Sequence, residues 1–370
     1  MSVPGVDSPD LMAYRFKPSQ RLDKSFRRIG LEQIDYSLAR LASKSGDHTI
    51  DVHETRKCMK RLRALLRIAR SGIGEAAFKR ENACFRDIAQ LLAATRDRHV
   101  LLETLVKLQA ARGTDNARLV AAIARARAVL DADSEQMVVP PTAERKARTA
   151  LLEARSRFER IALSGRGFKT MEGGLRRTYA DAREALPEAY RIGTDEAFHE
   201  LRKHVQHHWR HMLLLSRAWP AMFAARATAA RNLSQGLGDD HDLAVLAELV
   251  SRLSPSRLKR GEARLIVAAA RERQEELRSL ARLIGEQLLA EEPRDFTRRM
   301  AAYWQTAQRH ARRGAQRTDV RPVSAGAVVC SVDPDLPESV SSPMSPPPTA
   351  AAASTVAARA KARGRTSPKS

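Results

Sequence analysis

The chain is expected to be all-α, and three observations predict it. From about Arg15 to Gly314, Ala, Leu, Arg and Glu dominate and no β-branched alternation appears. Glycine and proline punctuate that stretch at helix-length intervals. Its best-defined segments place charge on one side and leucine on the other with a helical period.

Taken in order, residues 1–14 read as a flexible leader. Breaks are then expected at Gly46-Asp47, Gly72 with Gly74, Gly113-Thr114, Pro140-Pro141, Gly165 with Gly167, Pro187 and Gly193-Thr194. Further breaks are expected at Pro220, Gly236 with Gly238, Pro255 and Pro293, which gives roughly a dozen helices. Thr194-Asp195-Glu196 ahead of Phe198 has the composition of a helix start. Residues 316–370 change character: 8 of the 17 prolines, no aromatic residue and a single leucine, Leu336. Such a segment buries too little apolar surface to offset its ordering entropy, so a disordered, basic tail is expected.

The 370 residues hold 65 Lys plus Arg against 43 Asp plus Glu, a formal net charge of +22, and 52 of the cations are Arg. That balance calls for polyanionic partners: nucleic acid, polyphosphate or an anionic surface. An aromatic content of 5% argues against single-strand platforms built on base stacking. Three scattered cysteines, Cys58, Cys84 and Cys330, suit neither a disulfide framework nor a zinc site. No signal peptide or membrane helix is expected, so the anticipated compartment is the cytoplasm and no membrane partner is anticipated.

An internal duplication organises the rest. DVHETRKCMKRLRALLRI (51–68) matches AFHELRKHVQHHWRHMLL (197–214), pairing His53 with His199, Arg56 with Arg202 and Lys57 with Lys203. TRDRHVLLETLV (95–106) matches DHDLAVLAELV (240–250), pairing Asp97 with Asp242. The offsets are 146 and 145 residues, so two copies of one helical unit are expected, 15–164 and 165–315.

On a helical wheel Arg56, Lys57, Lys60, Arg63 and Arg67 fall within about 80° of His53, while Thr55, Cys58, Leu62, Leu66 and Ala69 fall opposite. The second copy repeats the stripe with His199, Arg202, Lys203 and Arg210, with Gln206 in place of a cation. Like charges at i,i+4 repel by a few tenths of a kcal/mol per pair, a penalty that a bound anion removes. A linear row of cations suits an extended phosphate chain better than a mononucleotide, and neither Gly-rich phosphate-loop motif is present, so no cofactor is expected. The surrounding cations should lower the pKa of His53 and His199 and leave them neutral hydrogen-bond donors.

The pattern H-x-x-R-K-x-x-K-R-x-R with its amphipathic leucine run resembles the signature of the CHAD family, the conserved histidine α-helical domain. FHELRKHVQHHWRHMLLL resembles that family's second repeat helix, and LSQGLGDDHDLAVL (233–246) the segment after it. FRRIGLEQIDYSLARL (26–41) and GGLRRTYADAREAL (173–186) resemble its remaining helices, so the likeness covers about residues 15–315. The resemblance implies two four-helix bundles related by a pseudo-twofold axis around a basic pore. It further implies non-catalytic binding of inorganic polyphosphate and association with polyphosphate granules. Gln206 and His207 depart from the first copy's Lys60 and Arg61, which predicts weaker binding by the second half.

Asp97 and Asp242 are expected at helix starts, where they would orient an arginine of the stripe. Two other readings stay open. Asp239-Asp240-His241-Asp242 contains the His-Asp dipeptide of metal-dependent phosphohydrolases, without the further ligands they require. His204, His208 and His211 share one side of a helix, a geometry open to zinc but better suited to half-buried packing, so no metal is expected. Non-specific nucleic-acid binding, aided by the basic tail, is the main alternative function.

Overall fold

Strong helix formers interrupted by Pro and Gly produce a chain that is helical throughout its described part. The computed structural model describes residues 14–43, 48–93, 97–132 and 139–316; the side chains of 97–99 and 315–316 lie outside that description. Among the described residues there are twelve α-helical segments and no strand. They are α1 (Leu22–Ala42), α2 (His48–Ile68), the single turn α3 (Arg70–Ile73), α4 (Glu75–Leu91), α5 (Asp97–Arg112) and α6 (Ala117–Ala132). The second half supplies α7 (Pro141–Arg160), α8 (Lys169–Ile192), α9 (Asp195–Leu215), α10 (Pro220–Arg252), α11 (Arg260–Leu288) and α12 (Pro293–Gln316). The predicted tail after Gln316 lies outside the described residues. Among the described residues no helix is long and apolar enough to cross a membrane.

Most boundaries follow local chemistry. Pro141, Pro220 and Pro293 each open a helix, where a missing N–H removes no intrahelical bond. α8 ends at Gly193, left-handed at φ 77°, and Thr194 then caps α9 by accepting the Ala197 N–H at 3.3 Å. Two expected breaks do not occur. Pro187 sits inside α8, exposed, between the buried Leu186 and Ala189 whose packing carries the helix through. Gly236 and Gly238 both lie within the 33-residue α10. The leader reading also needs correction at its end. Tyr14 is buried, its hydroxyl donating to the Arg61 carbonyl at 2.8 Å, and the Phe16 N–H bonds the Leu214 carbonyl at 2.8 Å. Two aromatic rings with a core to enter outweigh the polar residues around them.

All described helices belong to one unit with two apolar clusters. α1, α2, α4 and α7 pack in a ring, α7 closing on α1, with Phe26 stacked on Phe158 at 5.0 Å. α8 packs on α9, α9 on α10, and α12 returns to α8, where Tyr179 stacks on Phe296 at 4.1 Å. α2 joins the two groups by packing against both α8 and α9, so the larger cluster is continuous across them. The smaller cluster is made by α5, α6, the last part of α10 and the first part of α11, including Leu105, Ile123, Leu246 and Ile266. Each cluster therefore draws on helices from both sides of residue 165.

Candidate anion-binding site

The site begins with the amphipathic pattern of α2. Thr55, Cys58, Leu62, Leu66 and Ala69 are buried, and His53, Arg56, Lys57, Lys60, Arg63 and Arg67 lie half-buried along the other side. Lys57 pairs with Glu54 at 3.0 Å. Arg63 and Arg67, one turn apart, both donate to the amide oxygen of Asn82 on α4, at 3.2 and 2.8 Å. Among the described residues neither makes an ion pair with a carboxylate. Burial, reinforced by Arg63 and Arg70, pushes the Arg67 guanidinium down to about 10. Burial and Arg86 lower Arg63, with Asp87 acting against them. Two partly desolvated cations sharing one neutral acceptor form a site short of negative charge.

α9 carries the second stripe. Lys203 pairs with Glu200 at 2.5 Å, matching the Lys57–Glu54 pair of α2. Arg210 is buried, donates to the Gln206 carbonyl at 3.1 Å and lies 4.9 Å from the Trp209 ring. His199 stands against His241 of α10 with ring centroids 4.1 Å apart, and its Nδ1 is buried without a hydrogen-bond partner. Its pKa is pushed down to about 4, first by burial, then by His241, Lys203 and Arg202. The cations expected to neutralise this ring are thus the lesser cause.

Arg56 and Arg202 reach equivalent points of the next helix, each 36 residues on in sequence. Arg56 donates to the Leu92 carbonyl at 3.2 Å, just past the end of α4. At the corresponding place Arg202 lies against Gly238, where an added Cβ would come within 2.9 Å of its guanidinium. Glycine at 238 therefore makes room for an arginine beside a continuous helix, and no turn is needed. The consequence is a correction for Asp242, which lies in mid-α10 and not at a helix start. Asp97 does open α5, but its side chain lies outside the description.

The two stripes meet at their C-terminal ends, where α9 packs on α2. The His211 Nε2 lies 2.9 Å from the Ala64 carbonyl, and burial holds its pKa down to about 3. His207 is held well below the ordinary imidazole value by burial and by Arg67, Arg210, His211 and Arg63. Arg63 and Arg67 of one helix and His207 and Arg210 of the other thus share one electrostatic neighbourhood. His53, Arg56, Lys57 and Lys60, and His199, Arg202 and Lys203, occupy the arms leading away from it. Sequence reasoning missed Asn82, a neutral residue on another helix, and the acids Glu54 and Glu200. The latter were visible as the second residue of the repeated His-Glu-x-Arg-Lys.

The acidic cluster of α10 points several ways. Asp239 pairs with Lys107 at 2.9 Å, the buried Asp240 with Arg278 at 2.7 Å, and His241 faces His199. His208 is fully buried against the side of the stacked Tyr179–Phe296 pair, neither nitrogen hydrogen-bonded, in place of the half-buried position expected. Among the described residues no three His, Cys, Asp or Glu side chains converge on a metal-sized site.

A helical framework that gathers paired cationic helices about a common crossing defines the class. The CHAD domain family matches residues 30–251, more than half of the chain, and the chain belongs to that family. No curated protein matches it.

Proposed function

We propose that the chain binds inorganic polyphosphate without catalysis, through the basic faces of α2 and α9, and that this binding directs it to polyphosphate granules in the cytoplasm. The observation that carries the reading is the crossing itself. Arg63 and Arg67, which have no ion-pair partner among the described residues, stand with His207 and Arg210 where the two stripes converge. Family membership supports a polyphosphate-related role. We read the repeats as two bundles facing a basic pore, with His53, Arg56, Lys57 and Lys60 on one arm and His199, Arg202 and Lys203 on the other. A phosphate chain would supply the missing negative charge along the row, and its successive oxygens would accept charge-assisted bonds from each guanidinium.

The test is binding of long-chain polyphosphate against equal phosphate concentrations of duplex DNA, at about 150 mM salt where exposed charges are screened. Polyphosphate is expected to win. Arg63→Ala and Arg67→Ala should each weaken binding by about 1–3 kcal/mol. Equal affinity for the two polymers would establish a generic polycation, and steady orthophosphate release would establish an enzyme.

A further inference from the structure

The cationic surface continues past the crossing. Arg67 also walls a cavity of about 380 Å³, together with Arg70, Ser71, Gly174 and Arg177. A second cavity of about 750 Å³, between α8 and the start of α12, is walled by Arg176, Arg177 and Arg294. The two adjoin at Gly173 and Arg177, and together they are read as one groove leading away from Arg67.

Four acids line the groove, and three of them are already engaged. Glu75 is held by Arg70 at 2.6 Å, Glu292 by Arg183 at 2.5 Å and Asp295 by Arg298 at 2.8 Å. The fourth, Asp181, lies within electrostatic reach of Arg67 and His204. Arg176, Arg177 and Arg294 are exposed and, among the described residues, make neither an ion pair nor a side-chain hydrogen bond. Three guanidiniums beyond Arg67, with three of the four acids paired to other arginines, leave the groove with an excess of positive charge.

We infer that a polyphosphate chain seated at the α2–α9 crossing runs on through this groove, where Arg177, Arg176 and Arg294 take up additional phosphates. The inference rests on the polyphosphate reading above. It predicts a two-part site: the crossing anchors chains of any length, and the groove engages only chains long enough to reach it.

The experiment measures binding of linear polyphosphate of about 4 and about 100 units across a salt series, with the full chain. The triple variant Arg176→Ala, Arg177→Ala, Arg294→Ala should bind the short chain as the unmodified protein does. It should bind the long chain about tenfold more weakly, with the slope of log K against log salt reduced by about 2, the share of three contacts. A control removes the same charge elsewhere: Arg118→Ala, Arg127→Ala and Arg148→Ala, exposed on α6 and α7. It should leave that slope within experimental error. If the two triples behave alike, or the groove triple binds long chains normally, the groove is not part of the site. Loss of both chain lengths in Arg63→Ala/Arg67→Ala would in that case leave the crossing intact as the binding site. Normal binding by that double variant would overturn the crossing and the groove together.

Discussion

His208 sits in the core against a stacked aromatic pair with neither nitrogen hydrogen-bonded, and His211 and His207 stand one turn or less away. Burial holds all three below the ordinary imidazole pKa near 6.5. The unfolded chain takes up protons at that ordinary value while the folded chain binds none until much lower pH. Stability is therefore fully present above about pH 6.5 and falls as the medium becomes more acid, by on the order of 1 kcal/mol per pH unit for each such histidine. Urea midpoints measured from pH 7 to 5 should decline steeply, and His208→Phe, which keeps a ring in the slot, should flatten the decline by about one histidine's share. An unchanged slope in that variant would show that His208 does not carry the linkage. Asn82 matters in the opposite way: being neutral, it holds two arginines in place without cancelling their charge.

At the scale of the element, α10 shows what its glycines do. Gly238→Ala adds a methyl group toward the flexible end of Arg202, which can swing aside, and it adds helix propensity worth about 1 kcal/mol. Thermal stability should hold or rise while polyphosphate affinity falls several-fold, a separation readable by calorimetry and binding on the same sample. Gly174 of α8 is different, since an added Cβ would fall 2.2 Å from the Arg67 carbonyl of α2, which is backbone and cannot yield. The same two cases mark how far the sequence could be read. Helix type and the cationic face of α2 follow from periodicity alone, because side chains on one helix are placed by the helix itself. Whether a glycine ends a helix or clears space beside it depends on what another helix brings near, and 236–238 carried no local sign of Arg202. The joining of Arg63 and Arg67 to His207 and Arg210 is likewise a product of the α2–α9 crossing, and Tyr14 gives no local hint that it lies against Arg61.

Across the whole molecule, α10 and α11 run through both apolar clusters. α10 places Phe223 and Leu233 in the larger and Leu246 and Val250 in the smaller; α11 gives Ile266 to the smaller and Leu288 to the larger. The basic crossing belongs to the larger cluster. Leu246→Ala, a buried leucine of the smaller one, should destabilise by about 2–5 kcal/mol. Hydrogen exchange should quicken first in α5 and α6, with the Kd for polyphosphate unchanged where the protein remains folded. Weakened binding in the folded variant would mean that the clusters are coupled through these struts.

The sharing of both cores between the sequence repeats has a consequence for how such a chain can be divided. A cut in the connection between α7 and α8 would leave α5 and α6 without the helices that cover them, and α2 without α8 and α9. Neither fragment would own a finished interior, yet mixed together they hold every missing surface for one another. The two fragments are in this respect complementary, each carrying the surface that completes the other's interior.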